Sequence, residues 1–399
     1  MGQNNIIKNS YDLLYLISCA LHDVVPERER LEQMEMRRVY KLAKFHSLLS
    51  ISFAPLERYM ADGGKIDLET DTLEIWRNMR SYIIHKNLMF DFQREKLINF
   101  FEDNDIRYMS LKGLILHKLY PKMGWRYFAD NDILFDREYR AAVRDFFIKQ
   151  GYEVKAYEND VHDVYFKPPF LNFEMHVALF DEEYEDASVQ RLADYYADSW
   201  QHAIPNDKGM GYHQSDEDFY IYLVAHAYKH VRHGGTGLRT LVDIYVYLMA
   251  KKKRFNTEYI KTELTKMKLA KFEKELRKLA MHLFSSPDYT NNLSPAEIDL
   301  LLLHVDSGTY GTFDRMVKLS IERSGGTGRA TIFAKIKYCF RRLFLDMDAY
   351  RVYYPFFYKY KIFIPAFLVW RLFRAIFVRH SAVKELKVLK NTKVDRSRW

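Results

Sequence analysis

The stretch Trp125–Asp136, WRYFADNDILFD, decides how this chain is read. Asp130 and Asp132 flank Asn131 and run into Ile133, Leu134 and Phe135, a short apolar run with the character of a buried strand. Residues i and i+2 of a strand project to one face, so the spacing predicts that Asp130 and Asp132 point together while Asn131 points away. Carboxylates at the edge of a core are costly unless paired, and two side by side raise each other's pKa. A divalent cation answers both problems. Mg2+ fits, because it takes hard oxygen ligands, only one or two of them from protein, and completes its shell with water and substrate phosphates; Mn2+ is the substitute.

Outward from this pair, FEMHVAL places Glu174 and His176 on one face of a second strand, with Phe173, Met175 and Val177 on the other. A glutamate inside an apolar alternating strand needs a partner, and a shared metal cluster supplies one. Three carboxylates for two metals is an arrangement that activates an attacking hydroxyl and holds a leaving phosphate. Upstream, SLKG at 110–113 ends a strand and opens a helix. Gly113 lets phosphate approach the backbone, helix N-terminal amides offer an anion site, Lys112 adds a positive charge, and Ser110 borders the same turn. Arg126, four residues before Asp130, is expected to grip a phosphate in a fork. A lone Asp-x-Asp is more often a surface or turn feature than a site. Its order here, between a strand-Gly-helix and a downstream strand acid, sharpens the reading.

The stretch YMSLKGLILHKLYPKMGWRYFADNDILF resembles an uncharacterised bacterial nucleotidyltransferase family, whose pattern runs Leu-Lys-Gly, Leu-Tyr-Pro, Arg, then Asp-x-Asp and an apolar strand. The resemblance continues through GYEV, FEMHVAL, LRTLVDIYVYL and YYPFFYKYKIFIPAFLVWRLFR, covering about residues 85 to 380. It implies a DNA polymerase beta-like nucleotidyltransferase core. By position, Lys112 and Gly113 stand where that superfamily has its Gly-Ser phosphate loop, Asp130 and Asp132 where it has paired acids, and Glu174 where it has a third. Lys-Gly in place of Gly-Ser, and a somewhat long gap from Gly113 to Asp130, are departures from the superfamily.

The surrounding chain frames this core. Residues 1–100 carry apolar residues at helical spacing, broken by Gly63 and Gly64. From 105 the period changes to β-α-β-α-β-β-β, ending near 205, and after 214 it is helical again. The expected class is α+β, a small mixed sheet of nucleotidyltransferase type with large N- and C-terminal helical regions. The expected divisions are 1–100, 101–205, 206–330 and a basic aromatic region 331–399.

Composition narrows the partners. Apolar residues at 48% and aromatics at 16% exclude a disordered chain. Cys19 and Cys339 alone give neither a disulfide framework nor a cysteine zinc site, which fits a reducing, cytoplasmic compartment. The first residues lack a basic leader and a cleavage site, so no signal peptide is expected. The net charge of +8 is uneven: residues 330–399 hold 16 Lys+Arg against 4 Asp+Glu, so the tail carries +12 and the remainder −4. An acidic bulk disfavours a nucleic-acid partner. The tail stretch IFIPAFLVWRLFRAIFV is expected to pack against other helices, with attachment to the inner face of an anionic membrane as the alternative.

Secondary candidates lie further on. His226, His230 and His233 share one face of a helix, and Arg239 and Asp243 sit four apart on the next, where simple pairing is the plainer reading. His176, His226, His230, Arg239 and Asp243 are candidate substrate-pocket residues. Together these features predict a Mg2+-dependent transfer of a nucleoside monophosphate from ATP or another NTP to a hydroxyl or phosphate acceptor. The rivals are a glycosyltransferase using the Asp-x-Asp pair, which expects a longer Rossmann-like half before the motif, and a non-catalytic membrane-associated scaffold.

Overall fold

The computed structural model describes residues 3–309 except 159–160, 185 and 287–291. Beyond them it describes 311, 313–323, 389 and short stretches between 333 and 374. The chain forms two units, one of residues 1–229 with 236–309, the other of 230–235 with 310–399.

In the first unit the N-terminal helices are α1 (Gln3–His22), α2 (Arg28–Glu32), α3 (Met36–Phe45), α4 (Leu49–Ala61) and α5 (Thr70–Asp103). The apolar run RVYKLAKFHSLLSISFAPLERYM forms two helices, α3 and α4, and Ser47 between them takes a left-handed φ of 56°. Then come β1 (Tyr108–Ser110), α6 (Gly113–Leu116), β2 (Asn131–Phe135), α7 (Arg140–Lys149), β3 (Glu153–Ala156), β4 (His162–Lys167) and β5 (Leu171–His176), the expected succession. Two strands outside that succession complete the sheet. After α8 (Ala187–Tyr195), β6 (Ala203–Pro205) and β7 (Gly211–Gln214) form a hairpin. Helices α9 (Asp216–His233), α10 (Leu238–Lys251), α11 (Thr257–Lys266), α12 (Ala270–Phe284) and α13 (Pro295–Ser307) follow.

The seven strands run in the order β3-β4-β5-β2-β1-β7-β6. Only β2·β5 and β1·β7 are parallel, and the other neighbours are antiparallel. This mixed sheet with its helical surroundings is α+β. Among the described residues, the chain before β1 is helical, without the Rossmann-like half that the glycosyltransferase alternative expects before the motif.

One face of the sheet is apolar and rests on α5 and α7. Phe90, Leu97 and Phe101 of α5 and Val143 and Phe147 of α7 form one core with Ile133, Phe135, Tyr165, Phe173 and Met175 of the strands. The Phe147 and Tyr165 rings stack at 4.3 Å. Strand alternation then sends every second residue of β2 and β5 to the opposite face, which carries the polar groups. Asn131 lies on the α5 side, as its spacing predicts, and its Oδ1 accepts from Arg94 Nη1 at 2.9 Å. The third acid of the quoted stretch, Asp136, is held at the strand end by the Arg107 side chain, with the Arg107 Nη2 to Asp136 Oδ1 contact at 2.7 Å.

Glu102, near the end of α5, explains how two very short strands join the sheet. It accepts from the Met210 backbone N–H at 2.8 Å and from the Tyr108 hydroxyl at 2.9 Å, tying β1 to the β6–β7 hairpin.

Candidate active site

Asp132 and Glu174 are directly opposed across the parallel β2–β5 pair, and His176 follows two residues along β5. Opposed residues of neighbouring strands share a face, so the two carboxylates meet although 42 positions separate them in sequence. His176 Nε2 lies 2.9 Å from Asp132 Oδ1. Among the described residues, Asp132, Glu174 and His176 form the group whose potential ligand atoms all lie within 4.8 Å of one another.

Asp130 behaves differently from its sequence expectation. It precedes β2 by one residue and stands outside that close group, yet its charge acts on Glu174. His176 joins the acids on the face it shares with Glu174. Its ring stacks on His162 of β4 at 5.1 Å, and its Nδ1 is buried without a partner.

The acids do not ionise alike. Burial opposes ionisation of Asp132, but the Lys112 charge and the His176 hydrogen bond outweigh it and hold Asp132 well below the usual carboxylate range. Asp130 is pushed up to about 6 by burial and by the charge of Asp132. Glu174 is pushed up to about 8 by burial and then by Asp130 and Asp132. Three crowded carboxyls cannot all ionise together, so Asp130 and Glu174 rise while Asp132, beside Lys112, stays low.

Cationic side chains ring this cluster. Lys112 Nζ stands 3.8 Å from Asp132 Oδ1, on a residue whose backbone takes φ 34°, a left-handed value uncommon for any residue but glycine. Burial pushes the phenol of Tyr222 of α9 up to about 12, with the charge of Lys112 acting the other way. The helix that Gly113 opens is only four residues long, so α6 has too few aligned peptides for a helix-terminus anion site. Gly113 matters through close approach: a Cβ there would meet Arg126 Nη1 and Phe128 Cβ, each at 3.1 Å.

Arg126 is buried, and its fork is already occupied. Nε and Nη2 donate to Asp243 at 2.7 and 2.9 Å, and the Tyr120 hydroxyl donates to the same carboxylate at 2.7 Å. Nη1 alone has no partner. The i,i+4 pairing of Arg239 with Asp243 gives way to partners from outside α10, since Arg239 Nη1 donates to the Tyr127 carbonyl at 3.1 Å. Ser110 ends β1 opposite Ile133. His226 lies in the first unit with its ring 6.0 Å from Tyr222, whereas His230 and His233 belong to the second unit.

Lys86 of α5 escaped the sequence reading. Its buried ammonium donates to the Phe128 carbonyl at 3.0 Å, the Ala129 carbonyl at 3.3 Å and the Tyr127 hydroxyl at 3.1 Å, fixing the three residues that lead into Asp130. Burial pulls it down to about 8, with the charge of Asp130 acting the other way. The signal was a cation among apolar positions: Ile83, Lys86, Phe90, Arg94 and Leu97 recur at helical spacing on the buried stripe of α5.

Residues 32–285 match the model of a protein family described as an uncharacterised nucleotidyltransferase. The chain belongs to that family. The match holds the whole sheet, every acid of the cluster, and Lys86, Lys112, Arg126 and Asp243, and it ends before the basic tail. No curated protein and no solved structure matches this nucleotidyltransferase family member.

Proposed function

We propose that this chain transfers a nucleoside monophosphate from an NTP to a hydroxyl or phosphate acceptor, releasing pyrophosphate. The observation that carries the reading is the Asp132–Glu174–His176 cluster with Asp130 beside it, in a member of a nucleotidyltransferase family. Its donor set fits a divalent cation. The Asp132 to His176 separation of 2.9 Å, a hydrogen bond in the metal-free protein, also equals the edge of an octahedron whose bonds are about 2.1 Å, so both atoms would reach one ion once the Nε2 proton moves to Nδ1. Oxygen donors suit Mg2+, and the imidazole suits Mn2+ as well.

When bound, such ions neutralise the triphosphate and make the acceptor hydroxyl easier to deprotonate. Asp130 and Asp132 would hold them from β2 and its entrance, and Glu174 and His176 from β5. Lys112 would meet the phosphates beside the acids. Arg126, oriented by Asp243, would offer Nη1 to a phosphate oxygen next to Gly113. Glu174, opposite Asp132 across the β2–β5 pair, would complete the acceptor-side metal or take the proton of the acceptor hydroxyl.

The test is incubation of the full chain and fractionated extract with each of the four NTPs, labelled at the α-phosphate or at the γ-phosphate. The proposal expects metal-dependent incorporation of the α label only, lost in Asp130→Ala and Asp132→Asn proteins. Incorporation of γ label would identify a kinase-like transfer instead. Undiminished activity in both variants would overturn the assignment of the acids, and metal-linked NTP binding without transfer would leave the scaffold reading.

A further inference from the structure

The helix Pro355–Lys359, the turn Lys361–Phe363 and the helix Ile364–Phe373 lie in the second unit and form an aromatic hairpin with an inner and an outer side. Its inner side is anchored by Phe367, which is buried against the rings of Phe357 at 4.3 Å, Tyr354 at 4.6 Å and Tyr350 at 5.8 Å. Its outer side is apolar and open to solvent. Ile362 is 84% exposed, Val369 69%, Phe356 55%, and Phe363 and Trp370 49% each. Within the stretch expected to pack against other helices, Phe367 is buried, Trp370 stacks on it at 5.8 Å and Phe363 stacks on Phe356 at 6.0 Å, while Ile362 and Val369 are left in solvent.

Five large apolar groups within 15 residues do not stay in water without a reason. Cations are set among them. Lys359 lies over the Tyr360 ring at 5.4 Å, Lys361 over Tyr358 at 5.8 Å, and Arg374 over Trp370 at 5.1 Å. No acidic residue occurs from 349 to 384. Exposed aromatic rings and aliphatic tips interleaved with cations are what a membrane interface takes up, the rings at headgroup depth and the cations on lipid phosphates.

We infer that the outer side of residues 356–374 seats the protein on an anionic bilayer surface, lying in the interface without crossing it. Among the described residues no helix is long and apolar enough to cross a membrane. Ile362 and Val369 distinguish this partner from a nucleic acid, since aliphatic tips gain nothing by stacking on bases. A second copy of the chain would oppose the same cations with like charge.

Vesicle flotation with the full chain tests the inference independently of the nucleotidyl transfer reading. Phosphatidylcholine vesicles with and without phosphatidylserine are compared for wild type, an Ile362→Asp/Val369→Asp protein and a Lys359→Glu/Lys361→Glu protein. Wild type should float with the anionic vesicles and bind neutral ones about tenfold less or weaker, and each double variant should lose roughly tenfold or more on the anionic vesicles. Brominated lipid should quench wild-type fluorescence more than that of Trp370→Phe. Equal binding by wild type and both variants would overturn the inference. So would self-association, or binding to single-stranded RNA, that the same variants abolish in the absence of vesicle binding.

Discussion

Arg126 holds Asp243 through two hydrogen bonds, Nε at 2.7 Å and Nη2 at 2.9 Å, across 117 residues of sequence. The pair fastens the loop before β2 to α10 and leaves one guanidinium nitrogen beside Gly113. Both partners are buried, so removal of one leaves an uncompensated charge in a poorly solvated place. Asp243→Ala should lower the unfolding free energy by about 3–5 kcal/mol, measured by urea denaturation. Asp243→Asn should recover part of that loss and still weaken NTP binding, because the amide holds the guanidinium less firmly. A variant as stable as wild type would remove Asp243 from the account.

Lys86 should reveal itself through function more than through stability. Lys86→Met fills a similar volume and leaves the carbonyls of Phe128 and Ala129 without their donor, at a cost of about 1–3 kcal/mol. The chain entering Asp130 loses its anchor. Metal-dependent NTP binding should fall by roughly tenfold or more, since small misplacements of catalytic groups are that costly. Lys86→Arg, which restores charge but has a different shape, should rescue stability better than binding.

The carboxylate cluster opposes folding when no cation is present. Glu174→Gln removes a carboxyl that burial and its two neighbours keep from ionising, so at pH 7 the metal-free protein should melt at a higher temperature than wild type, and added Mg2+ or Mn2+ should stabilise wild type more than the variant. Thermal melts in chelator and in metal make the comparison. Identical shifts for both proteins would remove Glu174 from the ligand set.

Acid sensitivity has a source away from the site. His46 is fully buried, its Nδ1 accepts the Leu238 backbone N–H at 3.2 Å, and burial, aided by the positive influence of His304, pulls it down to about 3. An unfolded chain takes up a proton at this residue below pH about 6.5, and the folded chain refuses it. The contribution of His46 is therefore whole above that pH and falls as pH drops toward 3, by up to about 1.4 kcal/mol per pH unit. Denaturation midpoints for wild type and His46→Gln should converge as pH falls from 6.5. Parallel curves would show that His46 is not the source.

The core succession from β1 to β5 was legible because it rests on local signals: alternation in HDVYFK and LNFEMH, glycines at the turns, and an apolar run after Asp132. The convergence of Asp132 and Glu174 was legible for the same reason, since each lay on a predicted strand, and one strand pairing brings them together. Other features had no local signal. The β6 and β7 strands hold three and four residues and owe their place to Glu102, which is far from them in sequence. The partner of Arg126 is set by how α10 docks, which no window of sequence contains. His176 was seen on the correct face, but its reach back to Asp132 depends on register, and the parallel pairing supplies that register.

The most direct test of the central claim is calorimetric titration of the full chain with a non-hydrolysable NTP analogue, with Mg2+ and again in chelator. The acids, Lys112 and Arg126 predict binding that requires the metal and that Asp132→Asn abolishes while the protein remains folded. Equal affinity with and without metal, or binding unchanged by Asp132→Asn, would contradict it.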